Sequence, residues 1–138
     1  MVFGTFDILH KGHISFFKQA RKLAKKPYLI VSVARDKNVK KIKGRSPKNN
    51  ERKRLAVVRL SRLVNEAVLG GLKNHITHII QQKPHIIALG YDQKAYVKGL
   101  RQALKAKGLP VTIKRLKAFK PRLYKSSKLL PYEQKKVS

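Results

Sequence analysis

Short apolar runs and longer amphipathic stretches alternate along the chain. Residues 1–6 are apolar and β-prone and lead into a glycine-containing turn, which predicts a clipped first strand. From residue 13 to 26, Ile14, Phe17, Ala20, Leu23 and Ala24 recur at helical spacing, while Lys18, Arg21, Lys22 and Lys25 take the opposite side. Pro27 ends that helix, and residues 28–34 (YLIVSVA) form the near-continuous apolar run expected of a strand buried on both faces of a parallel sheet. Residues 35–50 are polar, contain Gly44 and Pro47, and read as a long loop of the kind that is usually functional or mobile. The helical period returns over residues 51–63, followed by a short strand at 66–69, a break at Gly70 and Gly71, and a helix over 72–82. A buried strand at 86–89, a helix over 95–107 and an alternating edge strand at 111–116 complete the pattern.

Five strands thus alternate with four helices. The expected fold is α/β: a Rossmann-like, doubly wound, parallel five-stranded sheet with helices on both faces and ligands beyond the carboxyl ends of its strands. The length suits one domain, and residues 131–138 read as a polar tail.

Composition narrows the chemistry. The absence of cysteine excludes a disulfide scaffold, a thiolate metal site and a catalytic thiol. Against 34 lysines and arginines stand six acids, a formal charge of +28, spread as 18 basic residues before Gly70 and 16 from there on. Such a field favours anions of every kind, from nucleotides to nucleic acid, and selects none of them. No apolar run approaches a membrane span and the first residues lack a signal peptide, so no membrane association and a cytoplasmic location are expected.

The first strand hands over to its helix through Gly4-Thr5-Phe6-Asp7-Ile8-Leu9-His10-Lys11-Gly12-His13. A helix N-terminus exposes unpaired N–H groups and a partial positive charge, Gly12 admits close approach to the backbone, and His10 and His13 can donate to phosphoryl oxygens. Taken alone, the two histidines are better read as a helix cap and a partly exposed surface residue, and it is the whole string around them that tips the balance. A zinc site is a weaker reading, since His75, His78 and His85 are the remaining imidazoles and His75 and His78 fit an ordinary helix face. Asp7 suits an Asx-type turn at the corner.

The string from Gly4 to His13 resembles the GTFDxxHxGH signature of the cytidylyltransferase-like nucleotidyltransferases. Ala34-Arg35-Asp36, residues 39–45 (VKKIKGR), residues 70–74 (GGLKN) and residues 89–93 (LGYDQ) are similar to the archaeal-type FAD synthases within that superfamily. The resemblance runs from Gly4 to about Leu129 and implies a nucleotidyltransferase domain over residues 1–130. It also implies that Thr5, Phe6, His10, Lys11, Gly12 and His13 bind a nucleoside triphosphate, with His10 and His13 catalytic. Asp92 is implied beside the nucleotide. Lys40, Lys41, Arg54, Ser126 and Ser127 are implied as weaker phosphate or substrate contacts. As residues, the three cations serve equally well on a solvated surface, and the two serines as a cap of a last short helix.

The implied reaction transfers a nucleoside monophosphate from ATP or CTP to a phosphorylated acceptor, with FMN as first choice, and releases pyrophosphate. A glycerol-3-phosphate cytidylyltransferase-like enzyme is the alternative acceptor reading, and a basic nucleic-acid-binding module the alternative from another class. Mg2+ is expected to ride on the triphosphate, with no protein ligand set of its own. Weak nonspecific nucleic-acid binding follows from the charge. A homodimer follows from the resemblance, although like-charge repulsion opposes it.

Overall fold

A computed structural model describes residues 1–72, 74–94 and 97–118. Five parallel strands are present: β1 (Val2–Gly4), β2 (Ile30–Val33), β3 (Glu66–Leu69), β4 (Ile86–Leu89) and β5 (Thr112–Arg115). Between them lie α1 (Lys11–Arg21), α2 (Asp36–Lys43), α3 (Glu51–Arg59), α4 (His75–Gln82) and α5 (Leu100–Ala106). The strands form a three-stranded sheet in the order β1-β2-β3 and a two-stranded sheet β4-β5, not the single five-stranded ladder expected. Among the described residues only Met1 bridges the two by backbone bonds, its amine donating to the Ile86 carbonyl and its carbonyl accepting from the Ala88 amide. With β1 three residues long, its remaining backbone groups make no ladder with β4.

A side chain closes the seam that the backbone leaves. Gln93 accepts from the Gly90 amide at 2.7 Å and donates to the Phe3 carbonyl at 2.7 Å, clasping the end of β4 to β1. Arg115 locks the same turn by donating to the carbonyls of Gly90 and Gln93.

Helices cover both faces, as the alternation along β2 dictates. Val31 and Val33 join Val2, Phe17, Leu55 and Val58 in a core under α1 and α3. Ile30 faces the other way and joins Ile79, Ile87, Leu100 and Leu104 under α4 and α5. Each fully buried Val, Ile or Leu contributes roughly 1.5–3 kcal/mol of transfer free energy, so the three buried aliphatic residues of β2, Ile30, Val31 and Val33, anchor the sheet. Ser32, on the α4 side, satisfies its buried hydroxyl with His78 Nε2 at 2.8 Å. His78 is therefore a buried core residue rather than part of an ordinary helix face, and burial lowers its pKa.

The polar stretch after β2 contains a helix, α2, where a long loop was expected. Its apolar residues are Val39 and Ile42 alone, three positions apart, and only Val39 is buried, which is too little apolar surface to hold a helix by itself. A long-range exchange stabilises it instead. The Asp36 amide donates to the Glu51 carboxylate and the Glu51 amide donates to the Asp36 carboxylate, so each helix start satisfies the other. Gly44, at φ 76°, ends α2 in the left-handed conformation that glycine adopts without strain.

Candidate functional site

The expected helix over residues 13–26 instead begins at Lys11 and ends at Arg21, which makes His10 its N-cap. The Gly12 amide donates to His10 Nδ1 at 3.1 Å. That bond makes Nδ1 an acceptor and places the proton of the neutral ring on Nε2. Three residues on, one helical turn brings His13 against it, and the two imidazoles stack with centroids 3.9 Å apart and an interplanar angle of 29°.

Both rings are uncharged in the free protein near neutral pH. Burial lowers the pKa of His10 to about 4. His13 falls to about 3, mainly through burial and then through the neighbouring His10, while a hydrogen bond to the Ile8 backbone opposes the shift. His10 is the less exposed residue, whereas the His13 ring has the more protein packed around it. His13 Nδ1 is buried without a hydrogen-bond partner among the described residues.

The preceding residues hold this corner in shape. Phe6 is buried at φ 52°, an uncommon conformation for an aromatic residue. Its ring packs edge-on to His13 at 5.2 Å, against Phe17 at 5.5 Å, and over Gly4. A Cβ on Gly4 would lie 2.6 Å from Phe6 Cζ, so the Gly-Thr-Phe order is a packing requirement. The Thr5 carbonyl accepts from Arg54 Nη1 at 2.7 Å. Lys11 is exposed on the first turn of α1.

Asp7 forms no local Asx turn. Its carboxylate accepts from the amides of Lys48, at 2.7 Å, and Asn49, at 2.9 Å, tying the segment after α2 to the corner. Arg54 is 1% exposed and donates to the carbonyls of Asn49 and Thr5 and to the Asp36 carboxylate at 2.7 Å. This guanidinium joins the corner, α2 and α3, and its three donors are directed into the fold. Neither role was visible in the local sequence, because each bond spans a fold-level neighbour.

Lys40 and Lys41 are exposed positions on α2, not on a loop. The cation of this helix that faces the corner is Lys43. Its pKa is lowered by burial of its ammonium and by Arg45, and raised by Asp7 and Asp92, even though the residue as a whole keeps an exposed surface. It also contributes to the lowering of the His13 pKa. Lysines at 40, 41 and 43 look alike in sequence, and only the direction of the helix separates them. Asp92 is exposed on the turn after β4 and near enough to act on Lys43. Ser126 and Ser127 lie outside the described residues.

The corner therefore collects two stacked neutral imidazoles, a helix N-terminus and the Lys43 ammonium at the carboxyl end of β1. Such a set can donate hydrogen bonds to phosphoryl oxygens and offset the charge that develops on them. Among the described residues no three His, Asp or Glu side chains converge to hold a metal, so these residues do not fit a protein-bound ion. No helix among them is long and apolar enough to cross a membrane.

Residues 1–130 match the family model described as cytidylyltransferase-like. An FAD synthase of Korarchaeum cryptofilum is 44% identical over 120 residues, 86% of this chain and 81% of that protein. An FAD synthase of Pyrococcus abyssi is 43% identical over 129 residues, 93% of this chain and 83% of that one. Among solved structures, the lipopolysaccharide core biosynthesis protein of Thermoplasma volcanium superposes with a TM-score of 0.79 at 38% identity, covering 86% of this chain and 95% of that chain.

Proposed function

From the premise that the chain belongs to the cytidylyltransferase-like family, we propose that it is an FMN adenylyltransferase, joining ATP and FMN to give FAD and pyrophosphate. The identities of 43% and 44% to FAD synthases, over most of both chains, support this acceptor. The observation that carries the chemistry is the stacked His10–His13 pair at the start of α1. Residues 1–130 form the catalytic unit in this reading, and the expected tail at 131–138 lies outside the described residues.

In the reaction a phosphate oxygen of FMN attacks the α-phosphorus of ATP. The new P–O bond forms as the bond from the α-phosphorus to the bridging oxygen breaks, and pyrophosphate leaves with that electron pair. The nucleophile is already an anion, so no general base is required. His10 donates from Nε2 to an α-phosphoryl oxygen, as its bond from Gly12 prescribes. His13, stacked on it, supplies the second imidazole contact. Lys43 offsets triphosphate charge from the facing helix. Mg2+ enters as part of the MgATP substrate, where it would neutralise phosphate oxygens.

Incubating the protein with FMN, MgATP or MgCTP and following flavin fluorescence tests the proposal. Quenching with ATP and none with CTP is the expected result. Pyrophosphate release from CTP and a small phosphate ester, without FAD formation, would reassign the acceptor.

A further inference from the structure

A cleft of about 410 Å³ opens at the carboxyl end of β3, beside the Gly70–Gly71 break and along one face of α4. Asn74, Thr77, His78 and Gln81 fall three or four residues apart and present one stripe to it. Its floor is rigid. His78 is bonded to Ser32 Oγ at 2.8 Å, the Gly71 carbonyl accepts from Asn38 at 2.9 Å, and the Gly70 carbonyl accepts from Arg35 Nε at 2.8 Å.

Two properties set this cleft apart from the imidazole corner. In a chain of +28, Arg35 is the sole lysine or arginine among the described residues lining it, and Arg35 is already paired with Glu51 at 3.0 Å. Among the described residues the rest of the polar lining is neutral amide, hydroxyl and imidazole. Among the described residues, the side chains of Thr77 and Gln81 make no hydrogen bond within the fold, and both are exposed. Such a surface is poorly suited to phosphate and well suited to an uncharged heterocycle whose edge alternates donors and acceptors.

Register places the cleft relative to the corner. Gly4 lies opposite Val33, and Val33 opposite Leu69, so the three form a row across the sheet. Strands lie about 4.8 Å apart, which puts the end of β3 about 10 Å from the end of β1 on the same edge of the sheet. A flavin ring joined to its phosphate by a five-carbon chain has that reach.

We propose that this cleft is the subsite for the uncharged ring of the acceptor, the isoalloxazine of FMN, while the acceptor's phosphate lies at the His10–His13 corner. The inference rests on the FMN adenylyltransferase reading. The sheet edge thereby divides recognition in two: charge is read at β1 and ring edges are read at β3.

Steady-state kinetics with FMN and ATP varied separately tests the division. Thr77→Val/Gln81→Met keeps volume and removes the hydrogen-bonding groups, and Thr77→Trp, made independently, fills the cleft. Both sites are exposed helix positions, and circular dichroism with thermal melting checks that each variant folds. The double variant should raise the KM for FMN about tenfold, the value of one or two lost hydrogen bonds, and leave the KM for ATP within about twofold. Thr77→Trp should raise the KM for FMN at least as much. Riboflavin, which carries the ring without the phosphate, should compete with FMN against the wild type and compete less well against either variant. FAD formation with an unchanged KM for FMN in both variants overturns the inference and leaves the parent reading standing. If the wild-type protein forms no FAD at all, the parent reading falls and this inference with it.

Discussion

His10 and His13 are neutral because the fold makes them so, and that has a measurable cost in acid. An unfolded histidine takes up a proton near pH 6.5, whereas the folded rings do so only near 4 and 3. Between those limits the unfolded chain binds more protons, so stability is full above about pH 6.5 and is lost progressively as the pH falls towards 3. Urea midpoints measured from pH 7 down to about pH 4.5 should decline, and a His10→Gln/His13→Gln variant should lose part of that slope. An equal slope in both proteins would mean that the imidazoles are not shielded as described. At neutral pH, His13→Ala should lower kcat by about 10²–10³, the range for loss of one charge-stabilising donor, with a much smaller change in the KM for ATP. The histidine pair and its glycines were legible as residues. Lys43 was not, because three similar lysines lie within four positions and only the rotation of α2 aims one of them inward.

Among the secondary-structure elements, the corner is held by contacts between segments that local sequence does not connect. The α2–α3 exchange of amide and carboxylate, with Arg54 beneath it, turns a polar stretch into a helix. Arg54→Met should destabilise the protein by about 1–3 kcal/mol, since it removes the donor of the Thr5 and Asn49 carbonyls and leaves the half-exposed Asp36 carboxylate with the Glu51 amide. Chemical denaturation would show this, and a loss under 1 kcal/mol would mean that the guanidinium is dispensable. Gln93→Leu removes the clasp between β1 and β4 and leaves the Gly90 amide and the Phe3 carbonyl without their partner. An expected loss of about 1–3 kcal/mol, together with faster amide exchange at β4, would identify this side chain as the seam of the two sheets. Gln93 was quoted in sequence only as part of a resemblance. Its role arises because β1 is too short to pair fully with β4.

At the scale of the molecule, most of the positive charge among the described residues lies on exposed side chains. Two ion pairs occur among the described residues, Arg35–Glu51 and Arg54–Asp36, and both lie at the junction of α2 and α3. Those acids hold the fold, so the lysines along α2 and on to Lys53 present a positive field beside the corner that Asp7 and Asp92 offset only at Lys43. Raising ionic strength from about 0.01 M to 0.15 M shortens the screening length from about 30 Å to 8 Å. Over that range kcat/KM for MgATP should fall several-fold while kcat holds, which is the signature of steering rather than chemistry. A flat profile would detach the charge from catalysis. The same field should give weak DNA binding that disappears with salt.

Sequence alone determined the order and type of nearly every element and the two-sided burial of β2, and its resemblance to a known family singled out the first corner as the proposed phosphate site. All three depend on local periodicity or on residues that are contiguous in the chain. Tertiary structure alone decided that the five strands divide into three and two, that Asp7 and Arg54 serve as fasteners, that Lys43 faces the histidines and that a neutral cleft ends β3. Each of these depends on which distant backbone carbonyl, amide or carboxylate a side chain meets, and that partner is chosen by the packing of helices on a sheet rather than by position along the chain.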